Sequence, residues 1–436
     1  MRFYYLTVVL IILLPILIFF LSRGVALQSE GFILVSSERI TQGQIPYKDF
    51  NFPHTPLSIF ATAGALAIHP SVLSTRILVL ITSLLSCLLL YKISILSVKK
   101  RIYATLSIFL FVAWGPTHIN YIWPVNFAIL TTLLSCYLLL KFLETRKSAF
   151  LSLAGLSTFA IFLANQNIGI IMFLPILIFF LVKSSRKAKY ILTFTNGYLW
   201  GVILFCVYLL LTDSFKHFIL SFGINMNPSH NETLIFYLLP LTISFFAFIL
   251  LCLRRRFHLL FLPAACAAFY IDTTFAYLLS MTGVPFMLYL RYNISINIRY
   301  LLFALIFFLI GLGFYTAPST RNNYFFANPK MLVFVDKSLA LDFEEFRKVT
   351  DNYSKVGDPI FASSEPMIYF LTDRRSPDKN SQIDYGDVLG NLVAKEIKII
   401  FLEKNEINAL PIKDYVTSNY RKIKSIGSKD VYIRNQ

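Results

Sequence analysis

A chain of 436 residues that is 56% apolar and only 14% charged cannot cover itself with polar surface in water, since soluble domains carry roughly 25% charged residues. With a mean hydropathy of +0.65, a soluble enzyme, a disordered chain and a fibre are all excluded. The net charge of +17 would suit a nucleic-acid partner, but 18 of the 40 basic and 16 of the 23 acidic residues lie in 320–436, a nearly balanced tail with no stripe to neutralise phosphates.

The remaining 22 basic and 7 acidic residues lie in 1–319. Residues 3–22 are an apolar-rich run behind Arg2. It exceeds the roughly 7–15 apolar residues of a signal peptide and suffices to span a bilayer, so we read it as an uncleaved first transmembrane helix. A polar segment, residues 23–72, follows. Within it, Glu30–Gln42 has helical periodicity that sets Ile33, Leu34, Ser37, Ile40 and Thr41 on related faces, and Gly43 stops the helix. Ile45–Pro46–Tyr47 is predicted extended, because the residue before proline avoids the α region. Pro56 then opens a second helix through Ala67. Two such helices in one loop are expected to lie flat on the membrane.

Further apolar runs lie near 73–96, 102–114, 126–143, 149–164, 168–182, 190–211, 232–253 and 299–316. The stretch 257–290, with Asp272 and two threonines at its middle, is read as two short helices. The sum is an α-helical polytopic membrane protein of about eleven transmembrane helices. With the N-terminus inside, 17 of the 22 basic residues fall on inward segments, and only Arg23, Arg39, Lys48, Arg76 and Lys216 fall outside. That bias is the positive-inside rule. It puts loop 23–72 and the tail on the outer side, which in a bacterial inner membrane is the periplasm. Cys87, Cys136, Cys206, Cys252 and Cys266 all lie in apolar runs without metal-ligand spacing.

The chain thus divides into a transmembrane domain, 1–318, and a small periplasmic α/β domain, 319–436. In the latter, Met331–Val335, Pro359–Ala362, Lys398–Leu402 and Val431–Arg434 are predicted strands, the third a buried central one. Asp342–Tyr353 and Pro411–Tyr420 are predicted helices. The tail has no glycine-rich phosphate loop and is expected to be dispensable for chemistry.

The seven carboxylates of the membrane part are Glu30, Glu38, Asp49, Glu144, Asp213, Glu232 and Asp272. Glu144 sits among basic residues, Asp213 and Glu232 bracket a polar outward loop, and the first three share loop 23–72 with Arg39, Lys48 and His54, with Arg76 following. Boundary carboxylates can act as general base or hold a divalent ion, and basic neighbours can hold a phosphate. The plain alternative is that Glu38–Arg39 and Lys48–Asp49 are surface ion pairs.

The segments Ser29–Glu30–Gly31, Arg39 to Gly43, Pro46–Tyr47–Lys48–Asp49–Phe50 and Phe52–Pro53–His54–Thr55–Pro56 resemble the first outward loop of the GT-C glycosyltransferases. The likeness is to the bacterial branch of protein O-mannosyltransferases and aminoarabinose transferases, whose loops read Asp-Glu-Gly, Arg-x-x-x-Gly, Pro-Tyr-x-Asp-Phe, then a proline-rich helix start. Asn165–Gln166–Asn167–Ile168–Gly169 resembles a polar break of the same branch. The resemblance implies transfer of a sugar, hexosyl or pentosyl, from a polyprenyl-phosphate donor to a lipid, glycan or protein acceptor on the outer face, with inversion. The family's usual catalytic acid is the first residue of Asp-Glu, and here that position is Ser29. The base expected is Glu30, with Asp49 second. Arg39, Lys48, Arg76 and His54 are the expected substrate-binding residues. No cofactor is required, since phosphate is a good leaving group, and a divalent metal is left open. The rival is a non-catalytic or transport-type protein for lipid-linked saccharides, against which stands the near absence of charge inside the helices.

Overall fold

The structure, a computed structural model, describes residues 2–98, 100–183, 187–224, 296–317, 321–377, 397–404 and 413–435. Apolar runs become helices where the sequence places them. They are α1 (Arg2–Leu21), α4 (Val72–Val98), α5 (Arg101–Trp114), α6 (Pro124–Thr145), α7 (Ser148–Ala164), α8 (Gln166–Lys183), α9 (Lys187–Leu211) and α11 (Ile296–Thr316). Three helices among the described residues are long and apolar enough to cross a membrane: Val72–Leu96, Pro124–Thr145 and Ala188–Leu211. The runs at 232–253 and 257–290, on which the count of eleven depends, lie outside the described residues.

Packing inside the bundle follows the rules of a lipid solvent. Leu13 and Leu17 of α1 are buried, while Ile11, Ile12 and Ile18 are exposed; Leu192, Trp200, Leu204 and Leu211 of α9 are exposed too. Both are faces for lipid. Between helices, small and hydroxylated side chains replace the hydrophobic drive that lipid removes. Ser135 of α6 hydrogen-bonds Thr158 of α7 at 2.9 Å, and Ser157 donates to the Thr131 carbonyl at 3.0 Å. Gly155 and Gly197 let α7 and α9 touch backbone to backbone.

The stretch after Asp213, expected as a polar loop, begins instead with helix α10 (Phe215–Ile224). Its Phe218 anchors it, packing edge-on to Tyr47 at 5.1 Å and to Phe205 at 5.3 Å. In the first loop the two expected helices are α2 (Ser29–Thr41) and α3 (Leu57–Ile68). Gly43 takes a left-handed φ of 86°, the conformation that ends α2. However, α2 does not lie on a surface. Every residue from Glu30 to Ser37 is buried, because Phe32 and Ile33 enter the membrane core while Leu34 and Val35 enter the core of the tail.

The tail is α/β. Strands β1 (Tyr324–Phe326) and β2 (Val333–Val335) form a hairpin, followed by α12 (Lys337–Tyr353), β3 (Phe361–Ala362) and α13 (Met367–Thr372). Then come β4 (Ile399–Glu403), α14 (Lys413–Asn419), β5 (Tyr420–Ile426) and β6 (Lys429–Arg434). The larger sheet has the order β3-β4-β6-β5, with β3 parallel to β4 and the rest antiparallel. So β4 is internal, as expected from its apolar run. Helix α12 starts five residues before Asp342, because Asp336 caps it, accepting the Ser338 N–H at 2.8 Å. Strand β5 was not expected: Arg421, Lys422 and Lys424 make it polar, the pattern of a charged edge strand.

Loop and tail share one core. Leu34, Val35, Leu66 and Val72 pack with Phe326, Val333, Met367 and Phe370. Backbone bonds tie them as well: Gly24 N–H to the Phe334 carbonyl (2.7 Å), Phe334 N–H to Ser22 (2.8 Å), and Val72 N–H to Lys330 (2.8 Å). Gly31 sits against the start of α13, where an added Cβ would lie 2.8 Å from Met367 Cα and closer still to Met367 N.

Candidate active site

Of the six expected site residues, the fold joins two. Glu30 stands in the first turn of α2, and Arg76 stands in the second turn of α4. Their side chains form an ion pair at 2.8 Å, with 0% and 3% exposure. The pair is built into backbone. Ala26 N–H donates to Glu30 Oε2 at 3.3 Å. Arg76 donates Nη2–H to the Gly24 carbonyl at 2.7 Å and Nη1–H to the Asn120 carbonyl. Asn120 in turn donates to the Phe20 carbonyl at 3.0 Å and to that of Arg23. Two buried atoms of the pair have no hydrogen-bond partner: Glu30 Oε1 and Arg76 Nε. Leaving such atoms unpaired is unfavourable by about 1–3 kcal/mol each, which is what a site built to receive a substrate group tolerates. Burial raises the Glu30 carboxyl above its ordinary 4.5, against the pull of Arg76 and the Ala26 N–H. The half-exposed Tyr121 lies beside Ser29, Glu30 and Arg76.

The other four residues stand apart from that pair. Asp49 closes the turn after Gly43, accepting the Ile45 N–H at 2.7 Å. Its neighbour Tyr47 is buried with φ of 70° and donates its hydroxyl to the His54 carbonyl at 2.8 Å. Lys48 pairs with Asp213 at 3.4 Å, the carboxylate being 91% exposed. His54 lies edge-on between Phe52 (5.7 Å) and Trp123 (5.6 Å), and this burial lowers its imidazole to about 4. Phe52 stacks on Phe32 of α2 at 5.4 Å, so one aromatic wall runs from α2 to Trp123. Arg39, at the far end of α2, donates Nε–H to Gln44 at 2.8 Å and lies 5.1 Å over the Phe50 ring.

Neither adjacent pair expected as an alternative forms. Glu38 binds Lys330 of the tail at 3.1 Å, Arg39 binds Gln44, and Lys48 binds Asp213. Neighbouring residues on a helix do not face each other, so Glu38 and Arg39 diverge. The sequence had offered no sign of Asn120 or Tyr121, beyond a polar, aromatic stretch between apolar runs. The polar break at Gln166 does find a role: its side chain accepts the Thr55 N–H at 3.2 Å and donates to the Pro53 carbonyl at 3.1 Å, fixing the proline-rich end of the loop. Among the described residues, no three His, Cys, Asp or Glu side chains gather as metal ligands.

No protein-family model matches the chain, and no curated protein matches it. Solved structures do. ArnT from Cupriavidus metallidurans bound to undecaprenyl phosphate superposes with a TM-score of 0.69 at 10% identity, over 98% of this chain and 97% of that one. The apo state of the same protein gives 0.68 at 11% identity, over 99% and 98%. From first helix to last strand, this chain has the fold of ArnT.

Proposed function

We propose that the protein is an integral-membrane glycosyltransferase of the inner membrane. It moves a sugar from a polyprenyl-phosphate carrier to a hydroxyl of a lipid, glycan or protein acceptor at the outer face. The observation that carries this is the end-to-end superposition on a protein bound to undecaprenyl phosphate, with the loop resemblance beside it. The excess of inward basic residues supports a periplasmic tail; alkaline phosphatase fused after Arg434 should then be active, and an inactive fusion would reverse the orientation.

Glu30 is the base. Its Oε2 is anchored by Arg76 and the Ala26 N–H, and its unpartnered Oε1 takes the acceptor proton past Ser29 and Tyr121. The acceptor oxygen forms a bond to the anomeric carbon as the bond from that carbon to the phosphate oxygen breaks. The electron pair leaves with the polyprenyl phosphate, the sugar inverts, and the proton passes from Glu30 to water. Asp49 is the second candidate, half-buried with one oxygen holding the Ile45 N–H. The carrier phosphate goes to Lys48, whose long, water-exposed pair with Asp213 contributes little and exchanges readily. Arg76 positions Glu30, since its terminal nitrogens already serve Glu30, Gly24 and Asn120. His54, neutral in its aromatic wall, shapes the sugar pocket. Phosphate is a good leaving group, so its departure does not require a metal.

The test is purified protein in nanodiscs, given polyprenyl-phosphate-linked radiolabelled sugars with envelope extract as acceptor. Free polyprenyl phosphate should appear and label should leave the carrier. Binding of the carrier lipids without loss of label from any of them would overturn the transferase in favour of a carrier-binding protein.

A further inference from the structure

Loop and tail meet again about 13 Å along α2 from Glu30, nine residues at 1.5 Å each. A shallow cleft opens there. Arg39, Gln42 and Gln44 line it from the end of α2, and Arg375 and Ser376 line it from the tail, with Glu38 the one carboxylate among the lining residues. Lys330 bridges Glu38 at 3.1 Å and Asp373 at 2.5 Å, which leaves one carboxylate charge against Arg39 and Arg375, so the cleft keeps a positive balance.

Both arginines are held in place. Arg39 is braced by Gln44 and the Phe50 ring. The backbone of Arg375 is bonded on both sides, its N–H to the Asp358 carbonyl and its carbonyl from the Ile360 N–H, each at 3.1 Å. Arg374 before it is buried and donates to the Thr350 and Ser354 carbonyls at 3.1 and 2.7 Å. A cation in the last turn of α2 is partly explained by the helix dipole. That explanation does not reach Arg375, which comes from another unit on a fixed backbone. Two planar guanidinium groups with amides and a hydroxyl around one concavity are the donor set for a tetrahedral oxyanion.

We propose that this seam binds a phosphate-class oxyanion, gripped by Arg39 from the loop and Arg375 from the tail, with Gln42 and Ser376 as further donors. Its role rests on the transferase reading: the anion is a phosphate carried by the acceptor, held at the loop–tail seam beyond the Glu30 end of α2.

The experiment is ³¹P NMR of inorganic phosphate with the full chain in dodecyl maltoside, which contributes no phosphorus. Wild type should broaden the phosphate line. Arg375→Ala, an exposed side chain whose loss spares the fold, should weaken binding about tenfold or more, and Arg39→Lys should weaken it too. Equal broadening by wild type and by Arg39→Ala/Arg375→Ala, with unfolding curves unchanged, overturns the site. In phosphatidylglycerol nanodiscs, separated methyl phosphate binding should persist; its displacement by the anionic lipid would make the ligand a bilayer headgroup and overturn the acceptor role. Because binding is read without turnover, intact phosphate binding in a protein that transfers no sugar would sink the transferase and leave the site. Lost binding with intact transfer would do the reverse.

Discussion

Replacing Glu30 by glutamine should injure the fold as well as the chemistry. From the sequence alone Glu30 stands in a loop, and the substitution would be expected to leave expression unchanged. The structure gives a different expectation, because the carboxylate is fully buried against Arg76 at 2.8 Å. Removing one partner of a buried pair costs about 3–5 kcal/mol, since the other charge is left uncompensated. Glutamine can still accept from Arg76 Nη2 and escapes the desolvation that raises the carboxyl, so the cost falls below that range, at about 1–2 kcal/mol. Arg76→Gln should cost a similar amount, and the double variant should cost less than the sum by about 0.5–3 kcal/mol. Denaturant unfolding in detergent reads this cycle; strict additivity would refute the pair as a stabilising unit. Turnover per folded molecule should fall about 10²–10⁴-fold in Glu30→Gln. Full normalised turnover there, with loss in Asp49→Asn, would move the base to Asp49. The pH dependence has opposite signs for the two roles. Burial holds the Glu30 carboxyl above 4.5, so the folded state binds its proton more tightly than the unfolded chain. Stability from this group is therefore lost as pH rises from 4.5 through the raised value, while a base gains activity over the same window. Both limbs should vanish in Glu30→Gln.

His54 titrates the other way. Its imidazole falls to about 4 in the fold from 6.5, so stability should be lost as pH drops from 6.5 toward 4, at about 1.4 kcal/mol per unit, and His54→Phe should abolish that slope in acid unfolding curves; an unchanged slope would show that His54 is not the group involved. Gly31→Ala should destabilise by about 1–3 kcal/mol, because the new Cβ meets Met367 backbone, which cannot swing aside. Gly64→Ala, with nothing within 4 Å, is the control and should be neutral or stabilising in the same melts. Equal melting of the two variants would mean that α13 is not seated on α2.

What could be read from the chain was whatever depends on local chemistry. The apolar runs give α1, α4 to α9 and α11 within a few residues. Gly43 and Pro56 end and open the loop helices because each acts through its own backbone. The inner strand β4 shows through Ile399, Ile400 and Phe401, all fully buried. What stayed hidden depends on partners distant in sequence. Glu38 and Arg39 look like a pair until α2 turns them apart and brings Lys330, 292 residues away, to Glu38. Arg76 reads as an outward cation, yet Glu30, Gly24 and Asn120 enclose it. The burial of α2 on all sides is invisible because Ser36 and Ser37 are polar, and both are fully buried. Strand β5 is masked by its lysines, and α10 by its polar flanks.

The tail, expected to be dispensable for chemistry, packs on every segment that carries the Glu30–Arg76 pair. The Glu30–Arg76 pair depends on three short segments: residues 22–24, whose Gly24 carbonyl holds Arg76; the start of α2, which carries Glu30; and the start of α4, which carries Arg76. The tail touches each one. Phe334 bonds residues 22 and 24, Lys330 takes the Val72 N–H, and Met367 abuts Gly31. None of these contacts needs an ionisable group near the reacting atoms, so a tail without catalytic side chains should still affect turnover through geometry. A displacement of about 1 Å can lower a rate by about 10²-fold, and the three contacts confine the pair from three directions. The same seating brings Arg375 to Arg39 and creates a cleft that neither unit has alone. The placement of the Glu30–Arg76 pair and the proposed oxyanion cleft are thus two consequences of one docked surface.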